Sequence, residues 1–170
     1  MKILIIGNIG SGKTTLGKKI QEITGFKFVQ IDELREKYLN NSVSGEYYSL
    51  HKFLKEIEDN ENLILEFTGV GCHKYAIKKD LELNSDKIII ILCNTRDFNS
   101  ILKRIENKNF NYISPFNEDI KEHSIFVNEE LNLDLKNHFW NCENFEFFEF
   151  YMDNLTDIEL NVELIRKYLN

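Results

Sequence analysis

Cysteine is scarce in this chain. Cys72, Cys93 and Cys142 are far apart and form no C-x-x-C pair, which excludes a disulfide framework and offers no zinc site. The thiols are therefore expected to be reduced. Proline is rarer still, with Pro115 its one occurrence, and no Pro-, Gly- or Ser-rich linker, internal repeat or low-complexity block interrupts the 170 residues. One domain spanning 1–170 is the expected organisation. No apolar run approaches the ~20 residues that cross a membrane. No basic segment followed by an apolar one precedes the first strand pattern, so the expected compartment is the cytoplasm. Positive charge is in deficit, 21 Lys and Arg against 28 Asp and Glu, and a net charge of −7 repels nucleic acid and anionic lipid over most of a surface. Arginine is restricted to Arg35, Arg96, Arg104 and Arg166, and His51, His123 and His138 show no metal-ligand spacing.

What is present alternates between two periods. The runs ILII (Ile3 to Ile6), LIL (Leu63 to Leu65) and IIIILC (Ile88 to Cys93) are short, continuous and rich in isoleucine, as in parallel strands covered on both faces. FKFVQI and FEFFEFYM read as two further strands. Between them apolar residues recur at helical spacing, at Leu16, Ile20 and Ile23 and again at Ile158, Val162, Ile165 and Leu169. Strands alternating with helices build βαβ units, so the expected fold is α/β, with a five-stranded parallel sheet flanked by helices.

The first strand runs directly into GNIGSGKTT, residues Gly7 to Thr15, which fits G-x-x-x-x-G-K-[ST]. A triphosphate is held chiefly by backbone N–H groups, so such a loop needs glycines to curl the chain and a helix N-terminus behind it. The candidate nucleotide-binding residues are Gly7, Asn8, Ile9, Gly10, Ser11, Gly12, Lys13, Thr14 and Thr15. Lys13 brings a positive charge to the β- and γ-phosphates, and the Thr14 hydroxyl can ligate Mg²⁺. After the second strand, VQIDELREKY sets Asp32 and Arg35 three residues apart at a crevice edge, where a carboxylate can take a hydroxyl proton or hold Mg²⁺ through water and a guanidinium can clamp an anion. The same pair also fits an N-capping aspartate with an ordinary helix charge.

With GNIGSGKTT, the D-x-x-R of IDELR and the later LKRIENK, the chain resembles the small P-loop kinases of the nucleoside monophosphate kinase-like group, such as adenylate and shikimate kinases, over nearly its whole length. That resemblance implies a three-layer P-loop fold with strand order 2-3-1-4-5 and a short lid, and it implies ATP and Mg²⁺ as cofactors. It maps Asp32 and Arg35 onto the acceptor side of the site. It also makes Glu66, closing LILE ahead of Gly69 and Gly71, the candidate for the acidic residue near the metal alongside Thr14. The same D-x-x-R spacing is similar to that of 5′-hydroxyl polynucleotide kinases, in which the aspartate is the base. In LKRIENKNFNYISPF the resemblance places Arg104 and Lys108 at the two basic positions that enter the lid, about residues 107–118, with lysine in place of the second arginine.

The expected activity is transfer of the γ-phosphoryl group of Mg·ATP to a nucleotide or other small acceptor by a monomer or homodimer, with Lys13, Asp32, Arg35, Arg104 and Lys108 as the catalytic set. The alternatives are a 5′-hydroxyl polynucleotide kinase and a nucleotide-binding regulator of low turnover. A GTPase is disfavoured because the fourth strand ends ILCNTRD and not in an N-K-x-D tetrad.

Overall fold

The computed structural model describes residues 1–38, 43–107 and 119–169. Its strands are β1 (Lys2–Gly7), β2 (Lys27–Gln30), β3 (Leu63–Glu66), β4 (Ile88–Asn94) and β5 (Phe145–Tyr151). Its helices are α1 (Lys13–Thr24), α2 (Ile31–Tyr38), α3 (Val43–Asp59), α4 (His73–Asn84), α5 (Phe98–Asn107), α6 (Ile120–Lys136) and α7 (Leu155–Leu169). The strands form one sheet in the order β2-β3-β1-β4-β5, with every neighbouring pair parallel. This is the three-layer order expected of a P-loop fold.

Period-two alternation divides the core between two faces. Leu4, Ile6, Leu63, Leu65, Ile88, Ile90 and Leu92 pack with Phe53 and Ile57 of α3, Ile77 and Leu81 of α4 and Val127 and Leu131 of α6. Ile3, Ile5, Ile64, Ile89 and Ile91 turn the other way, against Leu16 and Ile20 of α1 and Ile158 and Ile165 of α7. Branched side chains buried on both faces suit the centre of a parallel sheet, and β1 is buried along its whole length. Because all strands run the same way, their carboxyl ends share one edge. The loops and helix starts gathered there are where ligands bind in open α/β sheets.

Local chemistry fixes the helix ends. Gly12, at φ 98°, supplies the left-handed residue from which α1 springs, and Gly25, at φ 69°, closes α1 by donating its N–H to Gln21 O at 2.8 Å. Asp119 caps α6, its carboxylate accepting from Lys121 N at 2.8 Å and Glu122 N at 3.2 Å. Helix α2 follows β2 without an intervening residue, so Asp32 is the second residue within α2 and not its cap.

Two buried cations fasten helices on the first face. Lys2 at the start of β1 donates to Ile57 O and, at 2.6 Å, to Asn84 O, tying the ends of α3 and α4 to the sheet. Lys74 donates to both carboxylate oxygens of Asp134, at 2.7 and 2.8 Å, and so joins α4 to α6. Its ammonium also lies 4.9 Å from the centre of the Phe139 ring.

Candidate active site

The loop from Gly7 to Thr15 lies between β1 and α1 at the carboxyl edge of the sheet. Gly7 is indispensable to its course. At φ 146° a Cβ there would sit 2.4 Å from Cys93 O and 2.8 Å from Ser11 Oγ, so only glycine lets the loop leave β1 beside β4. Lys13 is nearly buried and folds over the loop, its Nζ donating to Asn8 O at 2.8 Å. Ser11 is fully buried, and its Oγ has no hydrogen-bond partner among the described residues, leaving an unmet donor inside the loop. A cradle of glycines, a lysine and a free hydroxyl at a helix N-terminus suits a polyanion.

Asn8 holds the loop from outside. Its Nδ2 donates to Ser124 O at 2.7 Å, and its Oδ1 accepts from Ser124 Oγ at 3.0 Å and from Ile9 N at 2.7 Å. Both Asn8 and Ser124 are buried, so α6 is latched to the phosphate loop by paired hydrogen bonds.

Beside the loop a carboxylate and a hydroxyl converge. Thr14 Oγ1 donates to Glu66 Oε1 at 2.9 Å, and Gln30 Nε2 donates to Glu66 Oε2 at 3.0 Å. Gln30 faces Glu66 because β2 and β3 pair in the register Gln30↔Glu66. Glu66 is nearly buried, and that burial raises its pKa above the ordinary value against the opposing pull of the Lys13 charge and the Thr14 hydrogen bond. Thr14 and Glu66 are thus two oxygen donors that a cation could use. Among the described residues no group of three or more His, Cys, Asp and Glu side chains converges. Such a sparse set fits magnesium, which keeps much of its shell as water and phosphate oxygen, and does not fit a structural zinc.

Arg35 lies on the next helix. Its side chain is mostly buried, and three nitrogens are engaged: Nη1 with Asp32 Oδ1 at 2.9 Å, Nε with Glu46 Oε2 at 2.8 Å and Nη2 with Glu46 Oε1. Glu46 Oε1 also meets His73 Nε2 at 2.8 Å. Burial alone would raise the Glu46 pKa, but hydrogen bonds from His73 and Arg35 outweigh it and hold the group at about 2. Asp32 itself is exposed, and its charge reaches Glu66.

Arg104, on α5, donates to Gly10 O at 3.0 Å, Met152 O at 3.1 Å and Asp153 O at 2.9 Å, bridging the phosphate loop to the turn after β5. Arg96 is engaged elsewhere, with Asp153 at 2.6 Å and Asp157 at 2.9 Å. Lys108 and the expected lid lie outside the described residues, apart from Asn107, which ends α5. The structure therefore brings together the loop, Glu66 and Arg104. Asp32 and Arg35 stand on the neighbouring strand end.

Gln30, Glu46 and Asn8 carry contacts that their sequence context announces only faintly. Glu46 had a legible signal: it occupies the stripe completed by Leu50, Phe53 and Ile57, all buried, and an acid in an apolar stripe asks for a buried partner. His73 is one such partner.

No family model matches the chain. It is 28% identical over 131 residues to the bifunctional shikimate kinase/3-dehydroquinate synthase of Thermotoga maritima, covering 72% of this chain and 26% of that protein. It is 31% identical over 118 residues to a putative adenylate kinase of Methanocaldococcus jannaschii, covering 65% of this chain and 60% of that one. The chain thus spans less than two thirds of these relatives' lengths. Among solved structures, a shikimate kinase from Bacteroides thetaiotaomicron superposes with a TM-score of 0.67 at 18% identity, covering 99% of this chain and 98% of that one. A deoxyadenosine kinase from M. mycoides with bound dATP gives 0.63 at 22%, with all of both chains covered. The sequence relatives include shikimate and adenylate kinases, and the fold is the one seen in the solved shikimate and deoxyadenosine kinases.

Proposed function

From this kinship with small P-loop kinases, we propose that the chain transfers the γ-phosphoryl group of Mg·ATP to a hydroxyl of a small-molecule acceptor. The observation that supports this best is the juxtaposition of the Gly7–Thr15 loop with the Thr14–Glu66 pair. A donor cradle and a cation-binding carboxylate meet at the sheet edge, 2.9 Å apart through one hydrogen bond.

In this reading the backbone N–H groups of Gly10 to Thr15 hold the triphosphate, and Lys13 exchanges its carbonyl partner Asn8 for phosphate oxygens. Thr14 and Glu66 would hold Mg²⁺, which neutralises charge on the transferring phosphate when bound. Arg104 keeps Gly10 and the turn after β5 in place around the donor. Asp32 accepts the acceptor's hydroxyl proton as the new oxygen–phosphorus bond forms, while ADP departs with the electron pair of the broken bond. Arg35 orients Asp32 through the 2.9 Å contact. Lys108 and the segment around 107–118 remain the proposed lid, excluding water on closure.

No helix among the described residues is long and apolar enough to cross a membrane, and all three cysteines are free. We propose a single domain that works in the cytoplasm as a monomer or homodimer. The net charge of −7 disfavours a polynucleotide acceptor.

Lys13→Ala is the direct test. It should abolish Mg·ATP-dependent transfer, a loss of at least ~100-fold in kcat, with circular dichroism unchanged, because the lysine supplies the charge nearest the migrating group. Turnover at the wild-type rate would refute the donor-site assignment.

A further inference from the structure

The guanidinium that sequence assigns to an anionic acceptor is already occupied. Glu46 takes Arg35 with both carboxylate oxygens, through Nε and Nη2, while Asp32 takes Nη1. One positive charge faces two negative ones, so the cluster sums to −1 with His73 neutral and to zero with His73 protonated. The arrangement is built and not incidental, because the side chains of Arg35, Glu46 and His73 are all largely buried. They also come from three elements, α2, α3 and α4. Tyr47, next in sequence and well exposed, sets its ring 6.2 Å from that of His73.

An incoming carboxylate or phosphate has to displace Glu46 to reach Arg35. Displacement would strip Glu46 of two hydrogen-bonded partners at once, and a carboxylate held at about 2 stays ionised throughout. A second anion entering without displacing it would meet Asp32 and Glu46 as like charges. A hydroxyl faces neither obstacle, since the exposed Asp32 carboxylate can accept from it directly.

We infer that Glu46 sets the acceptor class: the acceptor is uncharged and hydroxyl-bearing where it meets Asp32 beside the Glu46–Arg35 pair, and acids and phosphomonoesters that present their charge there are excluded. The inference rests on the phosphotransferase reading and narrows it. Nucleosides and polyols share the required chemistry, and matched pairs tell them apart.

The experiment measures kcat/KM with Mg·ATP for deoxyadenosine against its 3′-monophosphate, which keeps the 5′-hydroxyl, and for sorbitol against gluconate, using wild type and Glu46→Gln. Wild type should favour the uncharged member of the pair it uses by about tenfold or more, a discrimination within reach of a charge-matched pocket. Which pair is turned over identifies the source. In Glu46→Gln the preference should move toward the anionic member by a similar factor. The wild-type comparison stands even if that variant folds poorly. A wild type that prefers the anionic member, or a folded Glu46→Gln with an unchanged ratio, overturns the acceptor class and leaves phosphoryl transfer intact. Mg·ATP binding with no transfer to any of the four also overturns it, whereas failure to bind Mg·ATP removes the kinase reading as well.

Discussion

At the scale of single residues, Glu66 carries opposed demands. Burial raises its pKa, so the folded protein binds its proton more tightly than the unfolded chain does. The stability linked to this group is therefore complete below the unfolded value near 4.5 and declines as pH rises through the folded one. Glu66→Gln should raise the Tm of the ligand-free protein at pH 8 relative to wild type and flatten its dependence between pH 5 and 8, as a thermal melt series would show. The same change should lower Mg·ATP-dependent turnover by ~10-fold or more, since a neutral amide is a poor ligand for a hard cation. Asp32→Asn probes the acceptor side. Asp32 is exposed and carries no helix-cap duty, so the substitution should leave the Tm within about 2 °C, while removing a general base typically costs ~100-fold in kcat. Equal rates in variant and wild type would take Asp32 out of the chemistry.

At the scale of elements, α6 is held through Lys74–Asp134 to α4 and through Asn8–Ser124 to the phosphate loop, among other contacts. Removing one partner of a buried ion pair leaves the other uncompensated. Lys74→Met should therefore cost ~3–5 kcal/mol in urea unfolding, and Lys74→Met with Asp134→Leu should recover most of it. A double variant no more stable than the single one would show that the pair contributes packing and not charge compensation. These fastenings were illegible in the sequence, and the reason is physical. Strand runs and helix stripes are periodic and local, so β1, β3, β4, α1 and α7 follow directly from apolar spacing. Contacts such as Asn8 to Ser124 span 116 positions and leave no periodic trace. The phosphate loop was legible because its chemistry is compressed into nine consecutive residues, Gly7 to Thr15. On the proposed acceptor side Asp32 and Arg35 were legible from their spacing after β2, whereas the acid paired with Arg35, Glu46, arrives from a separate helix.

At the scale of the whole molecule, acid should reverse the behaviour seen near neutrality. Glu46 is held at about 2 against an unfolded value near 4.5, so its contribution is present above the unfolded value and is lost as pH falls through the folded one. Wild type should lose stability steeply from pH 4.5 toward 2, and Glu46→Gln should blunt that limb in denaturant titrations across the range. An acid limb of the same slope in both proteins would show that other carboxylates dominate acid unfolding. The sheet order has a separate consequence for how the molecule comes into being. Strand β1 is synthesised first yet lies in the middle, hydrogen-bonded to β3 and β4, with Lys2 opposite Leu63 and Ile88. A nascent chain therefore carries the apolar β1 without its full pair of partners until residues near Asn94 have left the ribosome, at ~5–20 residues per second. The interval of about five to twenty seconds during which Ile3 to Ile6 wait for partners is when the growing chain is most exposed to aggregation, and when a chaperone has most to shield.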